Sequence, residues 1–255
     1  MTTEQRADWL QLENVTAVFD GFKALDIAHF GVDRGELRTV IGPNGAGKTT
    51  MCDVISGKTQ PTTGRIHIGD HEVTGWADSA IAALGVGRKF QTPSVFDSLT
   101  VYQNMELALP GRRGIFANLF RRESTAERDR IDHLLNRVHL IAQRDGLARD
   151  LSHGQRQWLE ISMLMVSGAH LLLVDEPAAG LTDHETALTA ELLLELKGQH
   201  TLIVIEHDME FVRRLGGTVT CLCEGKVLAE GSLDAVSANE QVRTAYLGRG
   251  GERRS

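Results

Sequence analysis

The residues best equipped for chemistry in this 255-residue chain are the run Gly42-Pro43-Asn44-Gly45-Ala46-Gly47-Lys48-Thr49-Thr50. Its spacing is G-x-x-x-x-G-K-T, and it follows an apolar run at 37–41 and leads into a helical run at 51–55. Strand, glycine loop and helix form the context in which this spacing means a phosphate cradle. The glycines let consecutive N–H groups turn inward around an anion, and the dipole of the following helix adds to the same site. Lys48 can then reach the β- and γ-phosphates of a nucleoside triphosphate, and the Thr49 hydroxyl is placed to ligate Mg²⁺. The competing reading, a glycine-rich turn that only caps a helix, is disfavoured by the strand and helix on either side.

Other stretches end on groups that suit such a ligand. The apolar run 171–174 goes straight into Asp175-Glu176-Pro177. A strand-terminal Asp beside a phosphate loop holds Mg²⁺. Glu176 points the other way along the pleat and can accept a hydrogen bond from an attacking water as general base. Two carboxylates ending an apolar strand are costly unless a cation compensates them. The run 201–205 ends in Glu206-His207-Asp208. His207, at the C-terminal end of a core strand, lies on the ligand side of an α/β sheet and can donate to the γ-phosphate. Gln91 ends a predicted strand at 85–90, where its carbonyl can ligate Mg²⁺ and hold the water. Leu151-Ser152-His153-Gly154-Gln155 opens a predicted helix to 166. Ser152 suits its N-cap and Gly154 leaves N–H groups open to an anion, so this is either a second helix-end phosphate site or an ordinary capped helix.

The elements that must position these groups follow from the hydrophobic pattern. Alternation at 12–19 and 27–32 predicts paired antiparallel strands ahead of the loop strand. Between them Phe19-Asp20-Gly21-Phe22 forms a turn, and Phe19 either stacks on a nucleotide base or belongs to the core, with Phe22 the second candidate. A turn at 59–64, a strand at 65–68 and helices at 78–84, 101–109, 125–143 and 208–215 complete the reading. Residues 93–150 are helix-rich and read as an inserted helical subdomain. There Arg112, Arg113, Arg121 and Arg122 bracket Ile115, Phe116, Leu119 and Phe120, either as a solvated loop or as a surface for a membrane partner or headgroups.

Composition bounds the function classes. The chain is 42% hydrophobic, which suits one large α/β domain, and its formal net charge of −7 argues against a sequence-independent nucleic-acid binder. No apolar run approaches the ~18 residues of a membrane span, and residues 1–8 are too polar for a signal peptide. Cys52, Cys221 and Cys223 have neither CxxC nor zinc-ligand spacing and read as reduced, mostly buried thiols of a cytosolic protein.

The glycine loop, Gln91, LSHGQ, the LLLVDE strand end and His207, in this order, resemble the nucleotide-binding subunit of an ATP-binding cassette (ABC) transporter. The resemblance covers about residues 10–248. It implies an α/β P-loop NTPase fold of the ABC type, with an N-terminal antiparallel β subdomain and an inserted helical subdomain. Residues 10–92 and 168–248 would form the catalytic core, 93–167 the helical part with the signature helix, and 249–255 a basic tail. ATP would bind through Phe19, Asn44, Gly45, Ala46, Gly47, Lys48, Thr49 and Thr50. Thr49, Gln91 and Asp175 would surround Mg²⁺, and Glu176, His207, Gln91 and Lys48 would carry hydrolysis. Ser152, Gly154 and Gln155 would be the signature, facing the ATP of a second ATPase chain in a head-to-tail dimer. Two positions depart from the family pattern: His153 replaces the usual Gly, and Thr182 stands at the usual D-loop aspartate.

Residues 19–25, 87–91, 151–160 and 204–209 resemble importers of branched-chain amino acids and amides, most closely the ATP-binding subunit of urea importers. The resemblance then implies two transmembrane permeases, a substrate-binding protein and a place on the cytoplasmic face of the membrane. A branched-chain amino-acid importer is the near alternative. A soluble ABC ATPase that assembles or remodels other proteins is the alternative of another class.

Overall fold

The computed structural model describes residues 9–88, 95–110 and 124–247. Alternating apolar residues build an antiparallel hairpin from β1 (Leu10–Phe19) and β2 (Phe22–Val32), both longer than the sequence pattern predicts. Asp20 and Gly21 both take positive φ, 48° and 83°, which matches the twist of a two-residue hairpin turn and pairs Phe19 with Phe22. With β4 (Thr63–Ile68) and β5 (His71–Glu72) they form a four-stranded antiparallel sheet in the order β2-β1-β4-β5.

The larger sheet contains the loop strand β3 (Leu37–Ile41), β6 (Val86–Arg88), β7 (Leu171–Asp175), β8 (Thr201–Ile205), β9 (Thr218–Cys223) and β10 (Lys226–Gly231). Its order is β10-β9-β3-β8-β7-β6, and β3 runs parallel to both neighbours. The inner strands β7 and β8 are almost wholly apolar because both faces are covered. Along β7 and β8, Leu172, Val174, Leu202 and Val204 enter one core, while Leu171, Leu173, Ile203 and Ile205 enter another.

The first core joins this face to the helices α3 (Val101–Ala108), α4 (Thr125–Arg137), α5 (His153–Val166) and α6 (Asp183–Leu196). The second packs the other face against α1 (Lys48–Ile55), α2 (Asp78–Ala83) and the antiparallel sheet. A third, smaller cluster sets α7 (Met209–Leu215), α8 (Leu233–Ala238) and α9 (Glu240–Leu247) against Ile41 and Cys221.

One predicted element is shorter than its pattern. The helix expected over 125–143 ends at Arg137, and only a single tight turn follows at Ile141–Gln143. His139 takes a φ of 56° while Leu140 N–H donates to Leu135 O and His139 N–H to Asn136 O. These are the two bonds of a Schellman stop, built here on a histidine in place of the usual glycine. The Arg- and Phe-bearing stretch 112–122 and the basic tail lie outside the described residues.

Candidate active site

Strand β3 delivers the glycine loop to the C-terminal edge of the parallel sheet. Gly45 and Gly47 take φ of 77° and 100°, conformations that a side chain would strain, and Gly47 is the N-cap of α1. A methyl group on Gly47 would approach Ala24 O to 2.7 Å. The loop is braced from behind by the β9–β10 turn, where Gly225 N–H donates to Ala46 O at 2.9 Å and Gly225 O accepts from Asp26 N–H at 2.8 Å. The Lys48 ammonium donates to the Gly42 and Pro43 carbonyls at 2.6 and 3.2 Å. Burial holds its pKa below the ordinary 10.5, a drop that the Glu176 and Asp175 carboxylates oppose.

A cleft of about 400 Å³ opens over this loop, lined by Phe22, loop residues 44–50, Asp175 and Glu176. Adjacent strand ends converge there, because β7 follows β8 and β8 follows β3 across the sheet. His207, just past β8, places Nδ1 3.3 Å from Glu176 Oε1. Glu176 has a φ of 47°, which costs a non-glycine residue about 1 kcal/mol or more. Its conformation is held by its own N–H, which donates to Ile205 O at 2.9 Å, and by the following turn, where Gln157 of α5 donates to the Pro177 carbonyl.

The structure thus gathers Asn44, Gly45, Ala46, Gly47, Lys48, Thr49, Thr50, Asp175, Glu176 and His207. Phe22 lines the cleft, whereas Phe19 does not; Phe19 is 46% exposed, which removes the core alternative for it. Gln91 lies outside the described residues. Ser152, Gly154 and Gln155 stand apart from this cleft at the start of α5. There Ser152 and Gln155 close a capping box, with the Ser152 hydroxyl accepting from Gln155 N–H and the Gln155 side chain accepting from Ser152 N–H. His153 Nε2 lies 3.1 Å from Ala179 O, so the residue that departs from the family pattern ties α5 to the turn after β7. Thr182 is the N-cap of α6, in a capping box with Glu185. Two residues that spacing does not single out, Glu185 and Glu206, bind these loops together; a carboxylate directly after a buried strand is the available signal for Glu206.

A mostly parallel sheet that presents a glycine cradle and an acidic strand end along one edge is the architecture of P-loop nucleotide hydrolases, the class this fold defines. The ABC transporter family model matches residues 25–179, and that of the branched-chain amino acid ATP-binding cassette transporter matches 226–252. The chain belongs to the ABC transporter family, and it is an ATP-binding, ATP-hydrolysing cassette. Among its relatives is the high-affinity branched-chain amino acid transport ATP-binding protein LivG of Escherichia coli K12, 34% identical over 94% of this chain and 97% of LivG. An ATP-binding cassette of an ABC transporter solved in its ADP conformation superposes with a TM-score of 0.83 at 27% identity, covering 94% of this chain and 99% of that one. A dimeric cassette in a post-hydrolysis state with ADP and Pi gives 0.73 at 25% identity, covering 88% and 98%. Among the described residues no helix is long and apolar enough to cross a membrane.

Proposed function

We propose that this chain hydrolyses ATP to drive an ABC importer of branched-chain amino acids. The observation that carries the catalytic part is the Glu176–His207 contact facing the glycine loop across one cleft. The substrate rests on the relatives: LivG over nearly its full length and the branched-chain amino-acid model at 226–252 support amino acids over urea, which the motif resemblance alone favours.

Lys48 and the loop N–H groups bind the β- and γ-phosphates, and the ring of Phe22, which lines the cleft where Phe19 does not, lies against the base. Thr49 and Asp175 both line the cleft and offer the hard oxygen donors that Mg²⁺ takes, with Gln91 as a further ligand. The metal supplies charge neutralisation at the transferring phosphoryl group. Glu176 accepts the hydrogen bond of the attacking water, and His207 donates to the γ-phosphate. Ser152, Gly154 and Gln155 face the nucleotide of a second ATPase chain, arranged head to tail. Residues 10–92 and 168–248 act as the catalytic core, 93–167 as the helical subdomain, and within it 93–150 meet the permeases on the cytoplasmic face of the membrane. A substrate-binding protein completes the system.

The test is uptake of labelled leucine and labelled urea by cells carrying the intact chain or Glu176→Gln. Selective loss of leucine uptake in the variant supports the reading. Selective loss of urea uptake keeps the mechanism and moves the substrate. No change in either overturns the transporter reading and points to soluble partners.

A further inference from the structure

Glu206 lies between the two loops that carry Glu176 and His207, and its side chain is 1% exposed. A carboxylate taken out of water is stable only where donors replace its lost hydration. Here the replacement is divided between the loops. Oε1 accepts from Ala178 N–H at 2.8 Å, two residues beyond Glu176. Oε2 accepts from His207 N–H at 3.0 Å and from Asp208 N–H at 3.4 Å. The bridge closes a ring: Glu176, Pro177 and Ala178, the Glu206 carboxylate, His207, and back to Glu176 through the 3.3 Å contact. Gln157 and His153 pin the same turn from α5, so Glu206 is one of several grips on it.

We propose that Glu206 is a positioning residue for ATP hydrolysis, whose carboxylate sets the spacing of Glu176 and His207 by holding the turn after β7 to the loop after β8. The proposal rests on the reading that these two side chains act in hydrolysis. Glu206 is not among the residues that line the cleft, so it acts on turnover and not on nucleotide affinity. A carboxylate suits this bridge because it accepts on both oxygens, whereas the isosteric amide must turn its NH₂ toward an N–H donor on one side.

The test is steady-state ATPase and ATP binding of the full chain, comparing wild type, Glu206→Gln, His207→Ala and the double variant. Glu206→Gln lowers kcat by about 10- to 100-fold, the cost of misplacing reacting groups, with KM and ATP affinity within about 2-fold. In the His207→Ala background the same substitution costs less than about 3-fold, because the geometry it protects is already lost. Unchanged kcat in Glu206→Gln, an equal loss of ATP affinity, or losses that multiply in the double variant overturn the proposal. A wild-type kcat in His207→Ala overturns the underlying reading as well, which separates the two failures. Hydrogen exchange on the unmodified chain tests the bridge without any variant: Ala178 N–H, although it lies in a turn, exchanges about 100-fold or more slower than an open turn amide. Free exchange at Ala178 overturns the bridge.

Discussion

The Glu185 carboxylate lies across the start of α5, with Oε1 3.2 Å from the Ser152 hydroxyl that donates to it. Its other oxygen accepts from Thr182 N–H at 3.0 Å and from the Thr182 hydroxyl at 2.9 Å. A methyl group on Gly154 would come within 2.5 Å of Oε1. An intrachain carboxylate therefore packs against Ser152 and Gly154, two of the residues that the signature resemblance reserves for a phosphate, near a helix end whose dipole favours negative charge.

Replacing Glu185 by Ala removes half of the capping box of α6 and the tie to Ser152, at about 1 kcal/mol. For a chain of this size that is a fall in Tm of roughly 2–4 °C. The Thr182 backbone N–H, then its hydroxyl, hold the Glu185 carboxyl below its ordinary 4.5. A depressed folded pKa means that the contribution is present above 4.5 and lost as pH falls through the lower folded value. The gap in Tm between wild type and Glu185→Ala is then full at pH 7 and closes in stronger acid, as calorimetry across pH 7 to 3 reads directly. A gap constant with pH excludes the carboxylate as its source.

Glu176→Asn separates stability from activity. The φ of 47° strains Glu but is a conformation asparagine tolerates. Only a half-exposed contact with His207 is lost, worth about 1 kcal/mol at most. Thermal unfolding at or slightly above the wild-type Tm is expected, together with nearly abolished ATPase. A clear drop in Tm would mean that the carboxylate, and not the backbone, holds this turn.

Two glycines with positive φ respond very differently to alanine. A methyl group on Gly42 would sit 2.2 Å from the Leu222 carbonyl oxygen and 3.1 Å from Ala46 Cβ, so β9 or the glycine loop must move. Gly42→Ala is expected to cost about 3 kcal/mol or more in urea unfolding. Gly21, in the β1–β2 turn, has open space around it, and Gly21→Ala carries only the conformational cost of about 1–2 kcal/mol. Equal costs would show that steric contact with Leu222 is not what reserves position 42 for glycine.

The cysteines differ in accessibility. Burial pushes the Cys52 thiol up to about 12 and that of Cys221 to about 11, so neither forms the reactive thiolate at pH 8. Cys223 is half-buried. Iodoacetamide at pH 8 therefore labels Cys223 in the folded chain and all three only in denaturant, as peptide mass spectrometry resolves. Native labelling of Cys52 would mean that the core around α1 opens.

What is legible in the sequence is local. The glycine loop, the Asp175-Glu176 strand end and His207 can be found because each is a short run whose residue types state their chemistry. The doubly buried strands can be found because β7 and β8 are apolar without a break. What stays hidden is distant or conformational. Nothing near Ser152 in sequence points to Glu185, and nothing near Glu176 points to the Glu206 carboxylate. His139 stops a helix in a conformation for which glycine is the usual signal, so the residue pattern alone carries α4 too far. Phe22 ranks behind Phe19 in the sequence because the tight turn, which decides which ring lines the cleft, is set by the φ values of Asp20 and Gly21.

The Gly225 brace has a consequence for the order in which the molecule matures. Ala46 leaves the ribosome well before Gly225, so its carbonyl meets its partner N–H, and β3 gains β9 as a neighbour, only after the long stretch between them has been made. Contacts of such long sequence separation form late, after the entropy of closing the loop between them has been overcome. The nucleotide cradle thus closes late, and ATP meets a finished grip only on chains whose β9–β10 hairpin has docked.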